Sequence, residues 1–326
     1  MLKVVKASSL EALIKEVIPK DVYDPKALSY KGKEIPEGIT ENQFMDYFSI
    51  LMKKNKKYKS YIGLGYAGTI IPPVIQRNVF ENPVWYTSYT PYQAEISQGR
   101  LEGLLNYQTM ISEMTGLEIS NASLLDDATA GAEALHFCYN ISNKEKPMFF
   151  ISDNVFPHIK EVIKTKAKFQ GLDIVEGNPN EFDFEKNAKQ LCGALLQTPD
   201  NYGLFKDYSP LIKRLNELEI GSVVCTDLLS LALFKTPGEM GADITFGSCQ
   251  RFGVPQGYGG PYSAFFSAKD THIRKMPGRI CGISLDRFKD KGVRLAVTTR
   301  EQHIRREKAT SNICTGRVLL FFSHLP

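Results

Sequence analysis

Two charged residues follow predicted strands of this chain and are of types that take part in chemistry. Thr226 and Asp227 follow the predicted strand 222–225, and Arg251 follows the predicted strand 243–246 within a glycine-rich stretch. A carboxylate after a strand is either a functional group or a common loop residue. A guanidinium stays protonated at any working pH, so Arg251 cannot attack an aldehyde to form a Schiff base. This strand end therefore carries a permanent cation that cannot act as a nucleophilic amine.

A hydroxyl-rich loop precedes a predicted helix that begins near residue 97. It contains Tyr89, Thr90, Tyr92 and Gln93, with Pro91 between them. Paired tyrosines around a Thr-Pro step make a rigid loop of the kind that carries function. Two interpretations stay open, because the loop either presents its polar groups to a ligand or packs its tyrosines into the core.

The run 127–132 begins a second predicted helix and reads Asp-Ala-Thr-Ala-Gly-Ala. Free amides and the dipole at a helix N-terminus hold anions such as phosphate. The acidic start of this run would repel phosphate. The run is therefore either an anion loop that includes Thr129 or an ordinary capped helix.

Other motifs are weak. The run 63–68 matches the dinucleotide fingerprint, but Pro72-Pro73 follow where that fingerprint needs a helix, which favours a glycine turn. The five histidines and six cysteines have no metal-ligand spacing, and scattered cysteines predict reduced thiols in a reducing compartment. Cys249 beside Arg251 is either a reactive thiol or a small packed side chain.

Composition excludes several classes of function. The chain has 326 residues, 43% hydrophobic and 23% charged, with a net charge of +4. These values are ordinary for a globular protein of one large domain or two smaller ones. Neither a nucleic-acid partner nor a membrane partner is expected, because the charges are interleaved and no apolar run approaches ~18 residues.

Strands alternate with helices from residue 97 onward, and residues 1–60 form a predicted helical arm. In the arm, Ser8 or Ser9 caps a helix that Pro19 ends, and a second helix covers 44–52. Alternation of this kind predicts an α/β fold with a doubly wound, mostly parallel sheet. The predicted helices and strands from residue 97 are 97–115, the helix that starts near 127, 148–152, 157–171, 173–175, 193–197, 209–218, 222–225, 243–246 and 262–266.

Four long segments together resemble one family. They are 85–100, 121–130, 241–261 and 299–315. They are similar to the N-terminal half of glycine decarboxylase, the P-protein family of the glycine cleavage system, from about residue 8 to 315. The resemblance implies the seven-stranded large domain of fold type I pyridoxal-phosphate enzymes.

The resemblance also assigns site positions. Thr129 lies at the phosphate loop, Asp227 at the place of the aspartate that protonates the pyridine nitrogen, and Arg251 at the place of the Schiff-base lysine. The implied cofactor is pyridoxal 5'-phosphate, bound covalently by the C-terminal half of the whole enzyme. This half is implied to be a degenerate copy.

The implied activity belongs to glycine dehydrogenase (decarboxylating). That enzyme decarboxylates glycine and transfers the aminomethyl group to the lipoyl arm of the H-protein. The implied partners are the C-terminal half, the lipoylated H-protein and glycine, in a homo- or heterodimer. Tyr89, Thr90, Tyr92 and Gln93 are implied to complete the partner half's site, and the isolated chain is expected to be inactive. The alternative is a non-catalytic regulatory or binding subunit, or a non-functional gene product.

The resemblance sets expected boundaries. They are a helical arm over 1–60, the degenerate large domain over 61–315 and a divergent, truncated tail over 316–326. Arg300 and the basic run 303–308 are expected at a solvated or inter-half surface rather than on a carboxylate. The compartment is expected to be the cytoplasm of a bacterium or the mitochondrion of a eukaryote, and no clear transit peptide is visible.

Overall fold

The computed structural model describes residues 1–24, 29–30, 33–34, 38–86, 90–122, 124–260 and 262–309. The chain divides into two compact units, Met1–Lys59 and Ser60–Pro326. Within the described ranges, no helix has both the length and the apolar character that a bilayer crossing requires.

The first unit contains two helices and a minimal hairpin. Ser9 caps the first helix by accepting from the Ala12 amide at 3.1 Å, as predicted, and Thr40 and Gln43 form a capping box on the second. No residue of either helix is buried within this chain. The elements are α1 (Leu10–Val17), β1 (Ser29–Tyr30), β2 (Lys33–Glu34) and α2 (Glu41–Met52).

The second unit alternates helices and strands, and local signals set many of their ends. Gly116 ends the long helix at φ +72°, and Gly171 ends another at φ +67°, where an L side chain would be strained. The elements are α3 (Pro73–Ile75), α4 (Gln98–Thr115), β3 (Ile119–Ser120), α5 (Asp127–Ile141), β4 (Met148–Ser152), α6 (Pro157–Gln170), β5 (Asp173–Gly177), α7 (Phe184–Asn187), β6 (Leu191–Thr198), α8 (Ser209–Glu217), β7 (Gly221–Thr226), β8 (Ile244–Ser248), β9 (Ala264–Ala268), β10 (Ile280–Leu285), β11 (Lys291–Ala296) and α9 (Gln302–Arg305).

Seven strands form the central sheet in the order β3-β9-β8-β7-β6-β4-β5. The five strands from β8 to β5 are parallel, whereas β9 runs antiparallel to both β8 and β3. The segment 249–263 joins β8 to β9, and its described residues include a single turn of 3-10 helix at Gln250–Phe252. The predicted α/β, mostly parallel sheet is confirmed.

Core residues cover both faces of the sheet. Phe266 packs with α5 and α6 in one cluster, while its neighbour Phe265 packs with α4 in another. Adjacent strand residues point to opposite faces, so this division is what a doubly wound sheet requires. The carboxyl ends of the parallel strands remain available for a site.

Three sequence predictions need correction. A short helix, α3, begins at Pro73, because proline is tolerated at the first helical position. The antiparallel hairpin of β10 and β11 was not predicted. Arg300 is only 6% exposed, so it is not a solvated surface residue.

Candidate functional site

A cavity of about 440 Å³ opens at the carboxyl ends of the parallel strands. Gln197 of β6, Thr226 of β7 and Ser248 of β8 line it. Ligands of open α/β sheets bind in the crevice outside these strand ends. The fold therefore places this cavity where a cofactor would be expected.

Arg251 and Asp227 meet inside this cavity as an ion pair. Arg251 donates from Nε to the Oδ2 atom of Asp227 at 2.9 Å, and its Nη2 lies 2.9 Å from the same oxygen. The other carboxylate oxygen of Asp227 accepts from the Leu229 amide at 3.1 Å. The two residues assigned to the lysine and pyridine-nitrogen positions are thus brought together, and each neutralises the other.

The N-terminus of α5 is occupied by the chain's own carboxylates. Asp126 accepts from the Thr129 amide at 2.7 Å, and Asp127 accepts from the Ala128 amide at 2.9 Å. The second oxygen of Asp127 lies 3.2 Å from Nε2 of His158. These amides are the donors that would hold a phosphate, so the interpretation of an ordinary capped helix describes this end of α5.

A second acidic group of the cavity is also paired. The buried Asp200 carboxylate accepts from the amides of Tyr202 and Leu204 and lies 3.0 Å from the Lys206 ammonium. Burial acts to raise the pKa of Asp200, but the Leu204 amide and Lys206 hold that pKa below its ordinary value. Both amide hydrogen bonds go to Oδ1 of Asp200, whereas the buried Oδ2 accepts no hydrogen bond from the described residues and has only the Lys206 ion pair.

A glycine turn covers the cavity. Gly63 and Gly65 adopt φ values of +68° and +85°, and the segment 61–65 lines the cavity. The side chain of Gln250, 1% exposed, accepts from the Ala67 amide at 3.2 Å and donates to the Ala67 carbonyl at 2.9 Å. The run that matched a dinucleotide fingerprint is thus the cover of this cavity.

These residues do not fit pyridoxal phosphate. Among the described residues that line the cavity there is no lysine, Asp227 is neutralised by Arg251, and carboxylates fill the helix end where phosphate would bind. A phosphate there would face Asp127 at close range, which is unfavourable. No chemical step on that cofactor follows from this cavity.

The described residues of the hydroxyl-rich loop that ends at Gln93 do not line the cavity, and they differ in exposure. Thr90 and Gln93 are exposed, whereas Tyr92 is 8% exposed and packs in the cluster around α4. Ser97 donates to the Thr90 carbonyl at 3.2 Å and accepts from Arg100 at 2.8 Å. Tyr89 lies outside the described residues. Thr90, Tyr92 and Gln93 do not line the cavity.

The cysteines of the described ranges are packed thiols. Cys138, Cys192, Cys225, Cys249 and Cys281 are all buried and free, and Cys314 lies outside those ranges. Burial raises the pKa of Cys249 to about 12, and its Sγ lies 3.1 Å from the Tyr107 hydroxyl. The packed interpretation of Cys249 is confirmed, because a thiol held in its neutral form is a poor nucleophile.

Comparison with known proteins accounts for this geometry. The sequence profile of the family described as glycine cleavage system P-protein matches residues 1–324. The chain belongs to this family. It is 50% identical over 320 residues to glycine dehydrogenase (decarboxylating) of Sinorhizobium medicae, and 52% identical over 314 residues to the mitochondrial enzyme of Dictyostelium discoideum. These matches cover 98% and 96% of this chain but only 33% and 31% of those relatives.

Solved structures agree with the family assignment. A crystal structure of glycine decarboxylase (P-protein) in inhibitor-bound form superimposes with a TM-score of 0.88 at 31% identity. The superposition covers 99% of this chain and 73% of the glycine decarboxylase chain. Sphingosine-1-phosphate lyase of Burkholderia pseudomallei, at 12% identity, matches with a TM-score of 0.60 over 90% of this chain and 71% of its own, and shows a shared fold only. The predicted fold-type-I architecture is confirmed.

Proposed function

We propose that this chain is the N-terminal, non-catalytic part of a glycine dehydrogenase (decarboxylating). Such an enzyme decarboxylates glycine and transfers the aminomethyl group to the lipoyl arm of the H-protein. The observation that supports this proposal most strongly is the Arg251–Asp227 ion pair, because it occupies the Asp227 carboxylate with a guanidinium that cannot form a Schiff base. The chain spans about a third of the length of its curated relatives, so the rest of the enzyme supplies the chemistry.

Pyridoxal 5'-phosphate belongs, in this proposal, to the C-terminal part of the enzyme. When bound there, the ring supplies an electron sink for the carbanion that decarboxylation leaves. This chain provides a scaffold that pairs with the C-terminal part as one subunit of a dimer pairs with the other. The proposed boundaries are an arm over 1–60, the degenerate domain over 61–315 and a tail over 316–326. The enzyme would lie in the cytoplasm of a bacterium or in a mitochondrion.

The loop from Tyr89 to Gln93 completes the partner part's glycine site in this proposal. Thr90 and Gln93 are exposed, and the buried Tyr92 ring fixes the loop from inside. A polar group that is held in place before substrate arrives loses less freedom on binding, which favours positioning. We therefore assign the contact role to Thr90 and Gln93 and a supporting role to Tyr92.

The test uses this chain assembled with the C-terminal part of the enzyme. Gln93→Ala is expected to lower glycine turnover about tenfold, which corresponds to about 1.4 kcal/mol and suits one lost positioning hydrogen bond. Gln190→Ala, at an exposed glutamine on the segment between α7 and β6, is the matched control. Equal turnover in Gln93→Ala, Thr90→Ala and the control would overturn the proposed role of the loop.

A further inference from the structure

The segment Met276–Arg279 is held rigidly beside the loop. The buried guanidinium of Arg300 donates to the carbonyls of Met276 and, at 3.1 Å, of Gly278. Asn121 donates to the Pro277 carbonyl at 3.3 Å, and the Ala122 amide donates to the Arg279 carbonyl at 2.6 Å. Gly278 has φ +80°, and a Cβ there would lie 2.6 Å from Asn121 Nδ2. The backbone that carries Arg279 is therefore fixed.

The Arg279 side chain is also fixed, on the face of Tyr92. Its guanidinium carbon lies 4.2 Å from the centre of the Tyr92 ring, a cation–π contact. Its Nε lies 3.6 Å from a carboxylate oxygen of Glu301. That separation is longer than the ~2.7–2.9 Å of a strong charge-assisted hydrogen bond. The guanidinium plane is thus set by stacking more than by its ion pair.

The outer edge of this guanidinium remains open. The side chain is 31% exposed, and neither Nη1 nor Nη2 has a hydrogen-bond partner among the described residues. A guanidinium fork is shaped to bind a carboxylate with two parallel hydrogen bonds. A stacked fork loses little freedom on binding, so this edge is prepared for such a ligand.

Local charge favours an anion at this position. Arg279 and Arg300 both lie close to the Glu301 carboxylate, so two positive charges face one negative charge among these three residues. Glu301 is itself shared, since His303 lies 3.8 Å from the same oxygen. A carboxylate that approaches Arg279 therefore meets a net attractive field.

We propose that Arg279 binds the carboxylate of the amino-acid substrate at the joint site that the Thr90–Gln93 loop closes. The proposal rests on the proposed function of that loop and adds a residue that nothing else assigns to the site. The bond binds and orients the substrate in its ground state. Because the same carboxylate departs as carbon dioxide, holding it tightly does not by itself lower the barrier.

The experiment compares two ligands on the assembled protein that contains both parts and the cofactor. Arg279→Gln is expected to weaken glycine binding at least tenfold in an absorbance titration of the cofactor. Methylamine, which lacks the carboxylate, is expected to bind within twofold of its wild-type affinity. In turnover, the KM for glycine should rise in the same proportion while kcat stays within about threefold, as expected when ground-state binding is lost.

Arg294→Gln, at an exposed arginine of β11, is the matched control and should change neither titration. Arg279→Lys keeps the charge but not the fork, so it should recover only part of the glycine affinity. If Arg279→Gln fails to fold, as judged by its circular dichroism melt, Arg279→Lys carries the test by the same glycine-to-methylamine comparison.

Three outcomes overturn the proposal. Glycine binding equal to wild type excludes the contact, and equal weakening of glycine and methylamine indicates a structural role. If Arg279→Gln weakens association of the two parts but leaves glycine affinity intact, the guanidinium of Arg279 binds a carboxylate side chain of the C-terminal part instead of the substrate.

The two proposals can fail separately. If Gln93→Ala lowers turnover while Arg279→Gln changes no titration, only the inference about Arg279 fails. If Gln93→Ala and Thr90→Ala have no effect, the proposed function of the loop fails by itself.

Discussion

Arg251 places two of its nitrogens 2.9 Å from one carboxylate oxygen of Asp227, and Nε donates a hydrogen bond to it. The residues stand at the ends of neighbouring parallel strands, β8 and β7, where a fold-type-I enzyme holds its reactive groups. Here a guanidinium and a carboxylate satisfy each other instead. In the proposed function, this internal ion pair stands at the positions of the cofactor-binding groups.

This pair is expected to contribute measurably to stability. In a double-mutant cycle of Arg251→Met and Asp227→Asn, measured by urea unfolding, we expect a coupling of about 1 kcal/mol, limited by the partial exposure of both side chains. The exposed Arg214–Glu185 pair, at 3.0 Å, provides the control cycle and should couple by less than about 0.5 kcal/mol. A coupling energy between Arg251 and Asp227 that is no larger than the one between Arg214 and Glu185 would contradict this expectation.

Replacing the guanidinium by an amine is not expected to restore cofactor binding. In Arg251→Lys, the carboxylates of Asp126 and Asp127 still occupy the amides of α5, so a phosphate finds no donors there. After incubation with pyridoxal phosphate and borohydride reduction, mass spectrometry should find no stoichiometric adduct at residue 251. Stoichiometric labelling there, absent from wild type, shows that the helix end still accepts phosphate.

Glu133 on α5 gives stability an unusual pH dependence. Burial raises the pKa of Glu133 to about 7, although Lys166 acts to lower it. The proton is therefore bound more tightly in the folded state. The contribution of protonated Glu133 to the free energy of unfolding is complete below its ordinary pKa of 4.5. This contribution is lost as the pH rises through the folded-state pKa of about 7.

Glu133→Gln is accordingly expected to match wild type near pH 4.5 and to be more stable above pH 7. The expected gain is on the order of 1–3 kcal/mol, reduced from the full conversion of the pKa change because the side chain is partly exposed. Urea unfolding across this pH range measures it, with exposed Glu102→Gln as the control. A difference that does not grow with pH shows that Glu133 is solvated in both forms.

Local sequence signals predicted much of the fold. Ser9 at the start of α1, Pro157 at the start of α6 and Gly116 at the end of α4 act through their immediate neighbours. Their effects can therefore be read from short windows of sequence. The alternation of strands and helices then fixed the mostly parallel sheet.

The hairpin of β10 and β11 depends on contacts that no short window contains. Gln108 of α4 accepts from the Cys281 amide at 2.7 Å and donates to its carbonyl at 3.1 Å. Gln98 likewise bonds both backbone groups of Val293, each at 2.9 Å. Helix glutamines thus bind the backbone of both strands, across 173 and 195 residues of sequence.

The burial of Arg300 likewise could not be predicted from the sequence. Arginine is rarely buried, and this one donates to carbonyls that the folded segment around Met276 presents. The cover of the cavity also rests on a distant contact, between Ala67 and Gln250. The sequence therefore singled out Asp227 and Arg251, which the structure brings together, but not the groups that surround them.

Exchange of labelled bicarbonate into the carboxyl group of glycine tests the central claim most directly. The chain is measured alone, then with the C-terminal part of the enzyme and pyridoxal phosphate. We expect the chain alone to match a blank without protein, because Arg251 replaces the amine that the chemistry needs, and we expect exchange when both parts are present. Exchange above the blank by the purified chain alone would contradict the assignment of this part as non-catalytic.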